Sequence, residues 1–179
     1  MNRILTYGLM AGLIVAIPMF SALVIEPSPE FTASSQVLGF TIMIVAFSLI
    51  FVSVKRLRDR ELGGVIRFMP AFALGLGISA VASVIYVVGW EITLHLTDFG
   101  FMETYAQGVL QKARDAGATA AELDKKAAEL AAFRSQYANP LFRLPVTFIE
   151  IFPIGVIVSL ISAAVLRNPR VLPARPAVA

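Results

Sequence analysis

Four long stretches of apolar residues, separated by shorter polar segments, dominate the pattern along the chain. A helix needs ~20 predominantly apolar residues to cross the hydrocarbon core of a bilayer. The pattern therefore predicts an all-α integral membrane protein with four transmembrane helices. The predicted spans cover residues 4–25, 37–54, 68–94 and 144–166.

The first apolar stretch is interpreted as a retained span. A secretory signal peptide has a shorter apolar region, of ~7–15 residues, followed by a small-x-small cleavage site. Phe20 lies where such a site needs a small residue, so a signal peptide is the weaker interpretation. Pro18 removes one backbone hydrogen bond and predicts a kink near the outer end of the helix.

The polar segment between the third and fourth spans is long and alternates charged residues with Ala, which makes it too polar to lie in lipid. Residues 95–143 are predicted to form an extracytoplasmic helical hairpin, with helices over about 99–116 and 119–138. Asp98 is a candidate cap for the first helix. Thr119 and Glu122 have the spacing of a capping box at the start of the second.

The distribution of Lys and Arg predicts the orientation. Arg3, the Lys55–Arg67 turn and the tail 167–179 are basic, whereas the first loop, 26–36, contains no Lys or Arg. Cytoplasmic loops carry an excess of Lys and Arg near the ends of spans. Both termini are therefore predicted to be cytoplasmic and the hairpin to face outward.

Composition agrees with this class and excludes others. The chain has 179 residues, of which 58% are hydrophobic and 15% charged, whereas soluble proteins are ~45–50% apolar and ~25% charged. It contains no Cys, so it has no disulfide or thiolate nucleophile. No basic, aromatic-interleaved stretch indicates nucleic acid, and no sequence motif indicates catalysis or a cofactor.

The predicted apolar stretches contain two acidic residues. Glu91 lies in the last turn of the third stretch, whereas Glu150 lies well inside the fourth. A carboxylate inside a span costs a few kcal/mol and normally faces protein or water. A rise of ~1.5 Å per residue places polar residues of the other spans at a similar depth. We therefore predict a buried polar cluster of Glu150, Ser83, Tyr86, Ser21 and Thr41. The alternative is a protonated Glu150 that only locks helices together.

Three other features have a structural and a functional interpretation. Small residues four apart in the spans, such as Gly8 and Gly12, favour packing within the chain, with homo-oligomerisation as the alternative. Glu91, His95 and Asp98 lie near the outer end of the third span, where an ordinary interfacial girdle is favoured over a metal site. For the basic turn, the functional interpretation is contact with lipid headgroups. The residues concerned are Lys55, Arg56, Arg58, Arg60 and Arg67.

Short motifs across nearly the whole chain resemble a family of small bacterial membrane proteins that is catalogued only as a domain of unknown function. They are the turn Lys55-Arg56-Leu57-Arg58-Asp59 with Gly63-Gly64, Ile66 and Phe68 at the start of the third span, then Ile85-Tyr86, Trp90 and Asp98-Phe99. The resemblance implies a bacterial inner membrane and four spans. It implies no activity and no catalytic residues.

The leading functional hypothesis is a non-enzymatic accessory or assembly protein that presents its hairpin, residues 99–138, to a protein partner. The second is a small oligomeric transporter or proton-coupled channel subunit centred on Glu150. An enzyme acting on lipid comes third, because no nucleophile and base are visible. A sealed apolar inner half of the bundle would count against transport.

Overall fold

The computed structural model describes residues 2–25, 36–98 and 100–174, and all of its regular elements are helices. Four of them, α1, α2, α3 and α6, are long and apolar enough to cross a membrane. The predicted all-α class with four membrane helices and a helical hairpin between the third and fourth is therefore confirmed. The helices are α1 Arg3–Ile25, α2 Gln36–Arg60, α3 Phe68–Leu96, α4 Phe101–Asp115, α5 Ala120–Tyr137 and α6 Pro140–Leu166.

Two of the membrane helices extend beyond the predicted apolar stretches. Helix α2 continues past Val54 to Arg60, and an i, i+4 ion pair between Lys55 and Asp59 supports this polar extension. Helix α6 begins at Pro140 rather than at 144. The Asn139 side chain caps it by accepting a hydrogen bond of 3.0 Å from the Leu141 N–H, and proline suits the first turn.

The hairpin helices begin at different kinds of cap. Thr119 and Glu122 form the predicted capping box, in which the Thr119 N–H donates to Glu122 Oε2 at 2.8 Å. This backbone hydrogen bond lowers the pKa of Glu122. The predicted Asp98 cap is wrong. Helix α4 starts after Gly100 without a side-chain cap, and Asp98 is in the left-handed region at φ 48°.

Helix α3 is the centre of the bundle and packs most extensively against α1 on one side and α6 on the other. Helix α2 contacts all three. Glycines let the backbones approach closely: a Cβ atom on Gly8 would lie 2.5 Å from Val81 Cβ, and one on Gly12 would lie 2.7 Å from Ile85 Cβ. The small-residue stripe of α1 is therefore buried within the chain.

The crossing of α3 and α6 is built from a reciprocal pair of serines and glycines. Ser159 fills the space beside Gly75, and Ser79 fills the space beside Gly155. The two serine Oγ atoms lie 3.3 Å apart, and each hydroxyl also donates to the carbonyl of the glycine one turn before it. The hydroxyls are thus satisfied in a buried position where unpaired polar groups are costly.

Replacing Gly75 by Ala is expected to destabilise the bundle by about 1–3 kcal/mol, because the new Cβ would lie 2.5 Å from Ser159 Oγ. Thermal unfolding in detergent measures the loss. Gly39→Ala is the matched control, since its nearest neighbour, Met19 Cε, is at an ordinary 3.4 Å. Adding Ser159→Gly should recover stability. Equal behaviour of Gly75→Ala and Gly39→Ala would contradict this account of the crossing.

Contacts at one end of the bundle, here called the basic end, join α1, the α2–α3 turn and the residues after α6. Arg3 pairs with Glu61, and Arg56 Nη1 donates to the Tyr7 hydroxyl at 2.8 Å. Arg58 is fully buried and reaches the residues after α6, where its Nη1 donates to the Val171 carbonyl at 2.9 Å. The hairpin lies at the opposite end.

Candidate functional site

The hairpin is attached to the bundle by an ion pair between α3 and α6. Arg143, in the second turn of α6, donates from Nε to Glu91 Oε1 and from Nη2 to Glu91 Oε2, both at 2.7 Å. Its Nη1 donates to the Tyr137 carbonyl at 3.1 Å. The Arg143 side chain is 4% exposed and that of Glu91 is 24% exposed, so this bidentate pair is largely shielded from water.

A second set of contacts joins the end of α5 to the same place. Trp90 Nε1 donates to the Tyr137 hydroxyl at 2.7 Å, and the Thr147 hydroxyl lies 3.4 Å from that oxygen. Burial raises the pKa of Tyr137, so the phenol stays neutral as a hydrogen-bonding group. We call the Arg143–Glu91 pair and the Trp90–Tyr137 bond together the clasp.

Aromatic packing connects the clasp to both ends of the hairpin. The Trp90 ring meets Phe101, in the first turn of α4, edge to face with centroids 4.7 Å apart. On its other side it contacts Phe20 of α1 at 5.5 Å. Because α4 starts and α5 ends at the same tryptophan, the hairpin has a fixed position on the bundle.

Deeper in the bundle, Tyr86 of α3 lies near Glu150 of α6, close enough for the two side chains to interact electrostatically. Glu150 is seven residues after Arg143, which corresponds to ~10 Å along the helix. Tyr86 is 3% exposed, whereas Glu150 is exposed on the side of α6.

The other members of the predicted polar cluster do not join Glu150. Ser21 and Thr41 are exposed and donate to carbonyls of their own helices, those of Ile17 and Val37. Ser83 is buried but donates to the Ser79 carbonyl at 2.8 Å. Tyr86 is the predicted partner that lies near Glu150. Similar depth does not bring the others to it, because depth does not fix the rotation of a residue about its helix axis.

The side chains at the hairpin end of α3, which were predicted to form an ordinary interfacial girdle, have defined partners. The Glu91 carboxylate faces Arg143, and His95 Nδ1 lies 2.8 Å from the Glu91 carbonyl. In the part of the chain that the structure describes, no three His, Asp or Glu side chains are grouped to hold a metal ion. Glu91 therefore acts as the counterion of Arg143.

The basic turn divides into engaged and exposed residues. Lys55 pairs with Asp59, Arg56 with Tyr7, and Arg58 is buried. Arg60 and Arg67 are exposed. Of the five predicted headgroup contacts, these two are exposed and have no side-chain partner in the described chain, whereas Arg56 is exposed but bonded to Tyr7.

Sequence reasoning missed Arg143 and the structural role of Arg58. Because Arg143 lies at the boundary of the hairpin, it was grouped with the other charged residues of that segment. The sequence did contain a signal for the Arg143–Glu91 pair. Glu91 lies at the hairpin end of α3, and Arg143 lies one residue before the fourth apolar stretch, at the same level. For Arg58, nothing in the sequence distinguishes it from Arg56 and Arg60.

The hairpin itself has an open groove of about 410 Å³ between α4 and α5. An ion pair between Arg134 and Glu103 connects the two helices beside it. Apolar residues of both helices line the groove, among them Met102 and Leu110 of α4 and Leu130 of α5. Helix α5 has no buried residue, and its Phe133 is 37% exposed.

Four long apolar helices packed around a mostly apolar core, with a clasped helical hairpin at one end, are the architecture of a multi-pass membrane protein. The family model described as "Protein of unknown function (DUF4199)" matches residues 6–168, so the chain belongs to this family. The match confirms the predicted resemblance to a four-span family of unknown function. No curated protein and no solved structure matches the sequence.

Proposed function

We propose that this chain is a non-enzymatic interaction protein of the bacterial inner membrane that presents the α4–α5 hairpin to a protein partner. The observation that carries the proposal is the clasp. A polar helical hairpin needs no bidentate Arg–Glu pair and no Trp–Tyr bond merely to connect two spans. The clasp fixes its orientation, which reduces the entropy that a partner must remove on binding.

The surface of the hairpin supports the same proposal. Its groove is lined by apolar side chains, with Arg134 and Glu103 at its edge. Apolar contact area framed by charged groups is the usual composition of a protein interface, with an apolar centre and a polar rim. Phe133, which is 37% exposed, adds an aromatic side chain to this surface.

The orientation belongs to the proposal. We place the basic end in the cytoplasm and the hairpin outside, because Arg3, the α2–α3 turn and the residues after α6 lie together at one end. An excess of Lys and Arg next to span ends is typical of the cytoplasmic side. Cysteines introduced at Gln107 and at Arg60 test it, since the chain has no Cys of its own. Labelling by an impermeant reagent in intact cells is expected at Gln107→Cys alone.

The alternative, a transporter or channel subunit centred on Glu150, has weaker support. Glu150 and Tyr86 lie near one another in the part of the bundle closer to the hairpin. Towards the basic end, fully buried apolar side chains such as Phe47, Ile50 and Ile78 fill the space between the helices. The buried serines Ser79, Ser83 and Ser159 donate to carbonyls of their own helices. This packing favours a static bundle.

The proposal is tested by photocrosslinking in native membranes. A photoreactive amino acid at Leu130, which lines the hairpin groove, is expected to give a discrete protein adduct. The same probe at Ile44, an exposed position in the middle of α2, is the matched control and should label lipid. Adducts of lipid alone from Leu130, or the same protein adduct from both positions, would contradict an interaction surface on the hairpin.

A further inference from the structure

Four arginines at the basic end have exposed side chains and are here called the arginine cluster: Arg60, Arg67, Arg167 and Arg170. Within residues 2–25, 36–98 and 100–174, none of the four guanidinium groups makes an ion pair or a side-chain hydrogen bond. This contrasts with Arg3, Arg56 and Arg58 at the same end, each of which has a partner within the chain.

The acidic residues of the basic end are already engaged. Asp59 accepts from both Lys55 and Arg58, and Glu61 pairs with Arg3. The arginine cluster therefore carries positive charge that no carboxylate of the described chain neutralises. Unneutralised positive charge at a membrane surface attracts anionic lipid headgroups.

The positions of the cluster match the level of the lipid headgroups. Arg60 is the last residue of α2, Arg67 immediately precedes α3, and Arg167 immediately follows α6. Three of the four arginines thus lie at ends of three different membrane helices. An anion that contacts them has to be at the membrane surface, which is where the phosphates of phospholipids lie.

Arg170 is brought to the same surface by the buried Arg58. The Arg58 guanidinium donates to the carbonyls of Leu166, Val171 and Leu172, and so fixes the segment that follows α6. A Cβ atom built on Gly64 would lie 3.6 Å from Ala174 Cβ, which shows that this segment passes over the α2–α3 turn. Tail and turn therefore form one surface.

From this geometry we propose that the arginine cluster is a binding site for the phosphate of anionic phospholipids, with phosphatidylglycerol as the probe. The site is assembled from the end of α2, the start of α3 and the Arg58-bound segment after α6. Guanidinium groups bind phosphate oxygens in pairs of parallel hydrogen bonds. Phosphatidylcholine has the same phosphate but also a choline cation, which the four arginines repel, so the site should prefer a headgroup with net negative charge. The proposal does not rest on a role for the hairpin.

The test uses the full chain, purified in detergent, stripped of lipid and titrated with phosphatidylglycerol or phosphatidylcholine in mixed micelles, with bound lipid counted by native mass spectrometry. Purified protein removes any effect of the arginines on insertion topology. Wild type is expected to prefer phosphatidylglycerol. Arg60→Gln/Arg67→Gln and Arg167→Gln/Arg170→Gln should each weaken its binding by about fivefold per arginine, since a basic residue near anionic lipid contributes ~1 kcal/mol.

The matched control is Lys125→Gln/Lys126→Gln, which removes two exposed charges from α5 at the opposite end. It should bind phosphatidylglycerol as wild type does. Equal loss in this control, or no loss in either arginine pair, would overturn the proposal. So would displacement of the lipid by inorganic phosphate at equal concentration, because the site would then recognise free phosphate. Thermal unfolding without lipid should be unchanged in both arginine pairs, which separates lost binding from misfolding.

Discussion

Replacing Arg58 by Ala is expected to lower the free energy of unfolding by about 3–5 kcal/mol, the cost of breaking a buried charged network by removing one partner. Arg58 is fully buried, and its side chain is bonded to Asp59 and to the carbonyls of Leu166, Val171 and Leu172. Alanine leaves those carbonyls without their donor and leaves a cavity the size of an arginine.

The effect of Arg58→Ala should include release of the segment after α6. Three of the hydrogen bonds of Arg58 go to residues 166–172, so limited proteolysis after Arg170 should become faster in the variant. Arg58→Lys should recover only part of the stability, because an ammonium group cannot reproduce the planar fork of donors. Thermal or denaturant unfolding in detergent measures the first effect, and mass spectrometry of trypsin fragments measures the second.

Arg60→Ala is the control for Arg58→Ala. It lies two residues along the same helix, is exposed, and contacts no carboxylate in the described chain. Surface substitutions of this kind change stability by ~0.5 kcal/mol or less. If Arg58→Ala and Arg60→Ala unfold at the same temperature, the buried network does not stabilise the bundle in the way proposed.

The contrast between Arg58 and Arg60 also separates what the sequence predicts from what it does not predict. The four membrane helices follow from runs of apolar residues, which any bilayer selects, and the capping box at Thr119 follows from a fixed local spacing. Which of several neighbouring arginines turns inward depends on the rotation of α2 against α6. That rotation is set by non-local packing, such as the fit of Phe47 of α2 against Gly155 of α6.

The predicted Glu150 cluster failed in part for the same reason. Depth along each span can be computed from the rise per residue, and Tyr86 does lie near Glu150. Ser21 and Thr41 lie on the outward faces of α1 and α2, where their hydroxyls return to their own helix carbonyls. A serine or threonine in a helix always has this local alternative, so it is a weak predictor of a polar cluster.

The second large effect is expected at the clasp. Arg143→Ala should destabilise the protein by about 3 kcal/mol, because it leaves Glu91 as a partly buried carboxylate without its bidentate partner. Glu91→Ala should have a similar cost for the converse reason. The double variant should lose less than the sum, with a coupling energy of about 2 kcal/mol, since the second substitution removes a charge that the first had left unpaired.

The hairpin supplies the matched control for this double-mutant cycle. Arg134 and Glu103 also form an Arg–Glu pair across two helices, but their side chains are 58% and 54% exposed. Exposed pairs contribute ~0.2–1 kcal/mol because water and salt screen them. A cycle on Arg134 and Glu103 should therefore give a much smaller coupling energy than the cycle on Arg143 and Glu91.

Hydrogen exchange separates the local role of the clasp from its effect on total stability. Loss of the Arg143–Glu91 pair should raise exchange in α5, next to Tyr137, more than in the middle of α3, because local opening of the hairpin then needs less free energy. Tyr137→Phe, which removes the acceptor of Trp90, should have the same regional effect with a smaller amplitude. Uniform changes in exchange over α3, α5 and α6 would show that the pair stabilises the bundle as a whole and does not hold the hairpin in place.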